Sequence, residues 1–329
     1  MPNTFDWAQI DSPEKFDELA LNRYRDQYAH VAVYREFCDH LGRSPERVES
    51  VEQIPYLPIS FFKTHQVVRQ GSALNRFFTS SATTGMVPSK HFVPNLDVYE
   101  KSFRLGWAMF YGPVENYCVL ALLPSYLERG GSSLVYMAQD MIQRSGHPKS
   151  GFYLDQYQDL SETILSLEAA QTPTLLLGVT FALLDFADQY PMKLKHTIVM
   201  ETGGMKGRGR EMIREEVHQK LSTAWGGLSI HSEYGMTELL SQAYSTGNGV
   251  FSCPPWMRVN LRDTEDPLTR LPEGQSGGID IIDLANVDSC SFIATQDLGR
   301  LTAPGQFKVL GRFDHAEIRG CNLLVAVNQ

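Results

Sequence analysis

Residues 174–204 read TLLLGVTFALLDFADQYPMKLKHTIVMETGG. Two short apolar runs, Thr174 to Val179 and Thr197 to Met200, flank a segment from about Thr180 to Tyr190 that reads as a helix. Apolar runs this short have the length of strands buried on both faces. The same rhythm extends outward. Upstream, Tyr117-CVLALL reads as another buried strand, and Gly130-GSSLVYMAQDMIQRSG as a turn and a helix with Leu134, Met137 and Met141 on one face and Gly146 as its stop. Downstream, Ile213, Val217 and Leu221 mark a helix, and Leu228-SIH reads as a fourth strand. Strands alternating with helices predict an α/β fold: a mainly parallel sheet with helices on both faces.

From about Gly249 the rhythm changes. Short runs at Gly278-IDIIDL, Cys290-SFIAT, Phe307-KVLGR and Leu323-LVAV, split by Gly, Pro and Asp, predict an antiparallel β subdomain. At the other end, Tyr24, Tyr28, Val31, Tyr34, Phe37 and Cys38 recur at helical spacing, with Gly42 as a stop. After them, Pro55 and Pro58 in IPYLPISFFKTH favour an extended path. The divisions expected are 1–70, a helical segment packed on the core; 71–248, the α/β core; and 249–329, the β-rich subdomain.

Composition bounds the function. An apolar fraction of 43% over 329 residues can bury a large core, which excludes a disordered or disulfide-stapled chain. With 29 basic and 38 acidic residues the net charge is −9, so neither nucleic-acid nor membrane binding is expected. Five scattered cysteines without C-x-x-C spacing, and a start unlike a signal peptide, place the expected protein in the cytoplasm. The nine histidines include no H-x-x-H pairing, so a zinc site is not expected.

Five segments carry chemistry. Phe78-TSSATTGMVPSKH puts Thr79, Ser80, Ser81, Thr83 and Thr84 around Gly85, with Lys90 beyond; it suits phosphate oxygens or is an ordinary Ser/Thr-rich loop. Gly203 and Gly204 end a strand, where backbone can approach a flat ring or simply turn. His231-SEYGMTE gathers Tyr234, Gly235, Thr237 and Glu238 at another strand end: a ring to stack, a hydroxyl for phosphate and a carboxylate for Mg²⁺, or a polar turn. Thr295-QDLGRL offers Asp297 to ribose hydroxyls, and Leu310-GRFDHAEIRGCN offers Arg312 to the sugar or a phosphate; each alone is a routine turn.

In this order the five segments resemble the core motifs of the adenylate-forming ligase superfamily: acyl-CoA synthetases, phenylacetate–CoA ligases and acyl-protein synthetases. The matches are Ser80–Lys90, Gly203–Gly204, Tyr234–Glu238, Thr295–Leu298 and Gly311–Gly320, across roughly residues 75 to 325. Ile54-PYLPISFFK and the helical stretch before it look most like the acyl-protein synthetase branch. The resemblance implies the large N-terminal domain of such a ligase. It implies ATP- and Mg²⁺-dependent activation of a fatty or aryl acid to an acyl-adenylate, followed by transfer to a thiol on an acceptor protein or CoA.

Carried over residue by residue, Thr79, Ser80, Ser81, Thr83, Thr84, Gly85 and Lys90 would hold the ATP phosphates. Gly203, Gly204, Tyr234 and Gly235 would frame adenine, and Thr237 would meet the α-phosphate. Glu238 would bind the metal, and Asp297 and Arg312 the ribose. Lys90, Thr237, Glu238 and Cys321 would be the catalytic set, with Cys321 either an acyl-accepting thiol or a small buried hydrophobe. Ala82 and Gln296 stand where the family commonly has Gly. Nine residues follow Gly320, so the family's small C-terminal domain is expected to be absent, its function supplied by a partner. The alternatives are a non-catalytic adenylate- or acyl-binding homologue and a Cys321 acyltransferase without ATP.

Overall fold

The computed structural model describes residues 10–80, 87–123, 131–203 and 212–312. Helix α1 (Pro13–His30) starts where Ser12 Oγ accepts from the Lys15 N–H at 3.1 Å and Pro13 takes the first turn, which needs no donor. The helical stretch upstream of Gly42 divides into two helices. Val31 adopts an extended backbone (φ −108°, ψ 97°) and buries its side chain, and α2 (Ala32–His40) restarts after it. Tyr24 and Tyr34 pack on Phe292, with the Tyr34 ring stacked at 5.9 Å.

The Pro-rich stretch forms β1 (Leu57–Pro58), as its prolines require, and then a single helical turn, α3 (Phe61–Thr64), where an extended path was expected. Proline restricts the residue before it, and Pro58 lies too far upstream to clash with that turn. Next come the two-stranded pair β2 (Phe77–Thr79) and β3 (Lys90–Phe92), then α4 (Leu96–Tyr111).

The alternating region follows the sequence closely: β4 (Cys118–Leu122), α5 (Ser133–Ser145), β5 (Gly151–Phe152), α6 (Tyr157–Ala169), β6 (Thr174–Val179), α7 (Thr180–Gln189), β7 (Thr197–Thr202), α8 (Arg214–Ala224) and β8 (His231–Tyr234). Every residue of β4 and β6 is buried, as continuous apolar runs predict. Gly146 closes α5 in the left-handed conformation (φ +62°). The fourth strand begins at His231, not Leu228, because Gly226 and Gly227 (both φ +85°) extend the turn before it. Gly178 carries no side chain because Leu183 packs over it; an added Cβ would stand 2.7 Å from the leucine. Leu183 and its buried neighbour Ala182 are thus core residues under α7.

Beyond β8 the strands pair antiparallel: β9 (Ala243–Ser245), β10 (Val250–Ser252), β11 (Met257–Arg262), β12 (Ser276–Asp283), β13 (Phe292–Ala303) and β14 (Gln306–Arg312). The sheet order is β11-β12-β13-β14-β10-β9-β8-β7-β6-β4-β5, with β1 parallel on β13. The link is β14. It pairs with β13 on one side and β10 on the other, so the parallel and antiparallel regions form one twelve-stranded sheet. That pairing sets Asp297 directly opposite Arg312. Among the described residues, no helix is long and apolar enough to cross a membrane.

Candidate active site

The carboxyl ends of parallel strands are where open α/β sheets bind ligands. β7 ends at Thr202 and Gly203 (φ +76°), and β8 ends at Tyr234 beside it. The Tyr234 ring is buried edge-on against Phe307 and Phe251, at 5.4 and 5.8 Å. Its hydroxyl donates to Asp297 Oδ2 at 2.8 Å. Burial and the Asp297 charge hold the phenol far above its usual range, so it keeps that proton at neutral pH. Arg312 Nε lies 3.5 Å from Asp297 Oδ1. Its side chain is 48% exposed, against 14% for Asp297, so the guanidinium is open to a ligand while the carboxylate is fixed.

Thr237 and Glu238 follow in the loop after β8. Glu238 is buried, and one carboxylate oxygen accepts from Ser89 Oγ. Asn286 Nδ2 donates to the Glu238 carbonyl at 2.9 Å. His91 places Nδ1 2.8 Å from the Thr237 carbonyl and Nε2 3.1 Å from Asn286 Oδ1. Gln27 of α1 donates to the Asn286 carbonyl at 2.8 Å, so the N-terminal helix braces the site from behind.

The stem of the hydroxyl-rich loop joins this group. Ser80 N donates to the Ser89 carbonyl at 3.2 Å, and Ser89 N donates to Ser80 Oγ at 2.9 Å. Thr79 N donates to the Gly131 carbonyl at 2.8 Å. Lys90 stands on the other face of the pair from Ser89 and His91, by the two-residue alternation of a strand. It is exposed, with its ammonium 5.4 Å from the Phe77 ring. Ser81, Thr83, Thr84, Gly85, Gly204 and Cys321 lie outside the described residues.

The structure therefore brings Tyr234, Asp297 and Arg312 into one group, and Ser80, Thr237 and Glu238 into another, both hung on β8 and the loop after it. Ser89, His91 and Asn286 are partners that the sequence reading did not single out. Among the described residues, no three His, Cys, Asp or Glu side chains converge as a metal cage. A single carboxylate, Glu238, fits Mg²⁺, which commonly takes one or two carboxylates and completes its shell with phosphate oxygens and water.

The family profile described as "Acyl-protein synthetase, LuxE" matches residues 2–111. The long-chain-fatty-acid–luciferin-component ligase of Vibrio harveyi is 22% identical over 314 residues, covering 89% of this chain and 81% of that protein. A 2-hydroxyisobutyryl-CoA ligase in complex with its acyl-adenylate and CoA superposes with a TM-score of 0.68 at 15% identity, over 93% of this chain and 70% of its own. ATP-bound MatB from Rhodopseudomonas palustris superposes with a TM-score of 0.54 at 19% identity, over 74% of this chain. The match spans 49% of MatB, about half of its length.

The chain shares the fold of these ligase structures, and over residues 2–111 it is similar to the acyl-protein synthetase family. Behind the strand ends, the sheet buries two further carboxyls. Glu201 on β7 accepts from Ser232 Oγ at 2.9 Å, Arg214 Nε at 3.0 Å and Thr180 Oγ1 at 3.1 Å, with His218 Nε2 at 3.4 Å. Burial pushes it up, but His218, Arg214 and Ser232 outweigh burial and hold it below the usual carboxylate range. Glu233 on β8 has fewer partners. Burial pushes it up to about 7, opposed by the Thr202 hydroxyl and reinforced by the Glu201 charge.

Between pH 4.5 and 7 the native protein accordingly holds the Glu233 proton while the unfolded chain has lost it. Stability falls as pH rises through that window, by about 3 kcal/mol from this group. Urea unfolding of wild type and Glu233→Gln at pH 4.5 and pH 8 checks this: the variant gains relative to wild type at the higher pH. A pH-independent difference would assign Glu233 an ordinary ionisation.

Proposed function

We propose that this chain is an enzyme that activates a carboxylic acid with ATP and passes the acyl group to a thiol. A carboxylate oxygen of a fatty or aryl acid attacks the α-phosphorus, the bond to the bridging oxygen breaks, and pyrophosphate leaves with that electron pair. The thiol sulfur then attacks the acyl carbon, gives up its proton, and displaces AMP. The observation that carries this reading is the convergence of the Tyr234–Asp297–Arg312 group and the Ser80–Ser89–Glu238 group on one strand end.

In this reading Asp297 accepts from ribose hydroxyls and Arg312 donates to the same sugar. Tyr234 holds Asp297 in place, and Thr237 meets the α-phosphate. Glu238 and the phosphates would hold Mg²⁺, which supplies positive charge against the developing pyrophosphate. Ser89 and His91 fix the geometry of Glu238 and Thr237. The acceptor thiol belongs to a partner protein or to CoA, or is Cys321, which lies outside the described residues. The four described cysteines are unsuited to the role: burial pushes Cys38 and Cys253 up to about 12 and raises Cys118 and Cys290, so thiolate is scarce at neutral pH.

Acid-dependent exchange of labelled pyrophosphate into ATP is the direct test. Exchange above the no-acid control, with at least one acid from a panel of fatty and aryl acids, is expected. No exchange with any acid, with or without CoA and candidate acceptor proteins, would sink the reading.

A further inference from the structure

Helix α1 buries a stripe of Phe16, Ala20, Tyr24 and Gln27, spaced by three and four residues. The fourth member is an amide where the pattern calls for an apolar side chain. It is fully buried, so both of its ends need partners. Both find them in one turn, residues 286–291, between β12 and β13. Gln27 Nε2 donates to the Asn286 carbonyl at 2.8 Å, and Gln27 Oε1 accepts from Ser291 N at 2.9 Å. Residues after α3 grip the same turn. Arg69 N donates to the Asp288 carbonyl at 2.7 Å, and Ser289 Oγ donates to the Val67 carbonyl at 2.7 Å.

Asn286, also buried, carries this grip to the loop after β8. Its Nδ2 donates to the Glu238 carbonyl at 2.9 Å. Its Oδ1 lies 3.1 Å from His91 Nε2, and His91 Nδ1 lies 2.8 Å from the Thr237 carbonyl. Two consecutive peptide groups are thus held by one buried amide and the ring it touches. They bear the hydroxyl and the carboxylate assigned above to the α-phosphate and the metal. Among the described residues, neither Gln27 nor Asn286 bonds to Tyr234, Asp297 or Arg312, the group assigned to the nucleoside.

We propose that Gln27 and Asn286 are positioning residues: through the 286–291 turn, α1 sets the backbone of Thr237 and Glu238 and with it the rate of adenylation. The inference rests on the adenylation reading above. Packing alone would be met by leucine at position 27. A buried amide bonded at both ends holds the turn in one arrangement, which an apolar side chain does not. Residues that orient a metal ligand from behind cost about 10–100-fold in activity or metal affinity when removed. The nucleoside group has no bond to either amide, so the binding of ATP should change little.

The test is pyrophosphate exchange and urea unfolding of wild type, Asn286→Leu, Gln27→Leu and Tyr24→Phe. Tyr24 lies on the same stripe, but its hydroxyl donates to the Arg43 carbonyl at 2.6 Å, away from the turn. Asn286→Leu and Gln27→Leu are expected to lower kcat about 10–100-fold and to raise the Mg²⁺ needed for half-maximal exchange. Their KM for ATP should stay within about threefold of wild type. Gln27→Leu completes the apolar stripe of α1, so it is the variant best placed to fold. Tyr24→Phe should lower the urea midpoint and leave kcat unchanged. Unchanged kcat and Mg²⁺ dependence in Gln27→Leu, or an equal fall of kcat in Tyr24→Phe, overturns the inference: the amides are then ordinary core contacts. Either result leaves the adenylation reading standing, whereas absence of exchange in wild type with every acid removes both.

Discussion

Glu238→Gln is expected to lower acid-dependent pyrophosphate exchange by about 10²–10³-fold without unfolding the protein. The amide keeps the volume of the side chain and still offers an oxygen to Ser89 Oγ, a partner of the carboxylate in the structure. The backbone bonds of the same loop, from Asn286 to the Glu238 carbonyl and around the Thr237 carbonyl, do not involve the substituted atom. The negative charge is what is lost. It is the one carboxylate among the residues assigned here to the phosphates, so the divalent cation loses its protein anchor. Exchange measured across a range of Mg²⁺ concentrations should show both the lower ceiling and a higher metal requirement. Exchange within about threefold of wild type, with unchanged Mg²⁺ dependence, would move the metal site elsewhere.

The largest stability effect is expected at Asp283, the last residue of β12. Its carboxylate is fully buried and accepts four hydrogen bonds: from Ser241 Oγ at 2.6 Å, Leu240 N at 2.7 Å, and Ser241 N and Ala285 N at 3.1 Å. Two of these come from the backbone just after Glu238, so the side chain pins the end of the loop to the antiparallel strands. Asp283→Ala leaves four buried donors facing a cavity and should cost about 3–5 kcal/mol in urea unfolding. A loss below about 1 kcal/mol would mean that water or a local shift satisfies those donors. Burial pushes the Asp283 carboxyl up, and the same four bonds pull it back.

Neither Asp283 nor Asn286 stands out in Ile282-Asp-Leu-Ala-Asn286, which reads as the end of a strand and a turn. The partners of Asn286 lie 48 residues away at Glu238 and 195 residues away at His91. No local pattern encodes such contacts. Ser89 and His91 were closer to legible. They flank Lys90, and strand alternation puts them on the face opposite it once residues 90–92 are known to be extended. Lys90 lies on one face of the pair, and Ser89 and His91 on the other face reach the loop after β8. The burial of Glu233 has no local signal: its register partner Tyr244 on β9 packs against rings of α4, more than a hundred residues away in sequence.

The sequence by itself determined the alternating strands and helices, because apolar spacing and Gly stops act within one or two turns of chain. It also determined the order of the five chemistry-bearing segments. The tertiary structure alone decided that β14 inserts between β13 and β10, which sets Arg312 opposite Asp297. It alone decided which side chains beside Glu238 are donors. The reason is register: a shift of one residue in a strand pairing turns every side chain to the other face, and register is settled by packing between segments far apart in the chain.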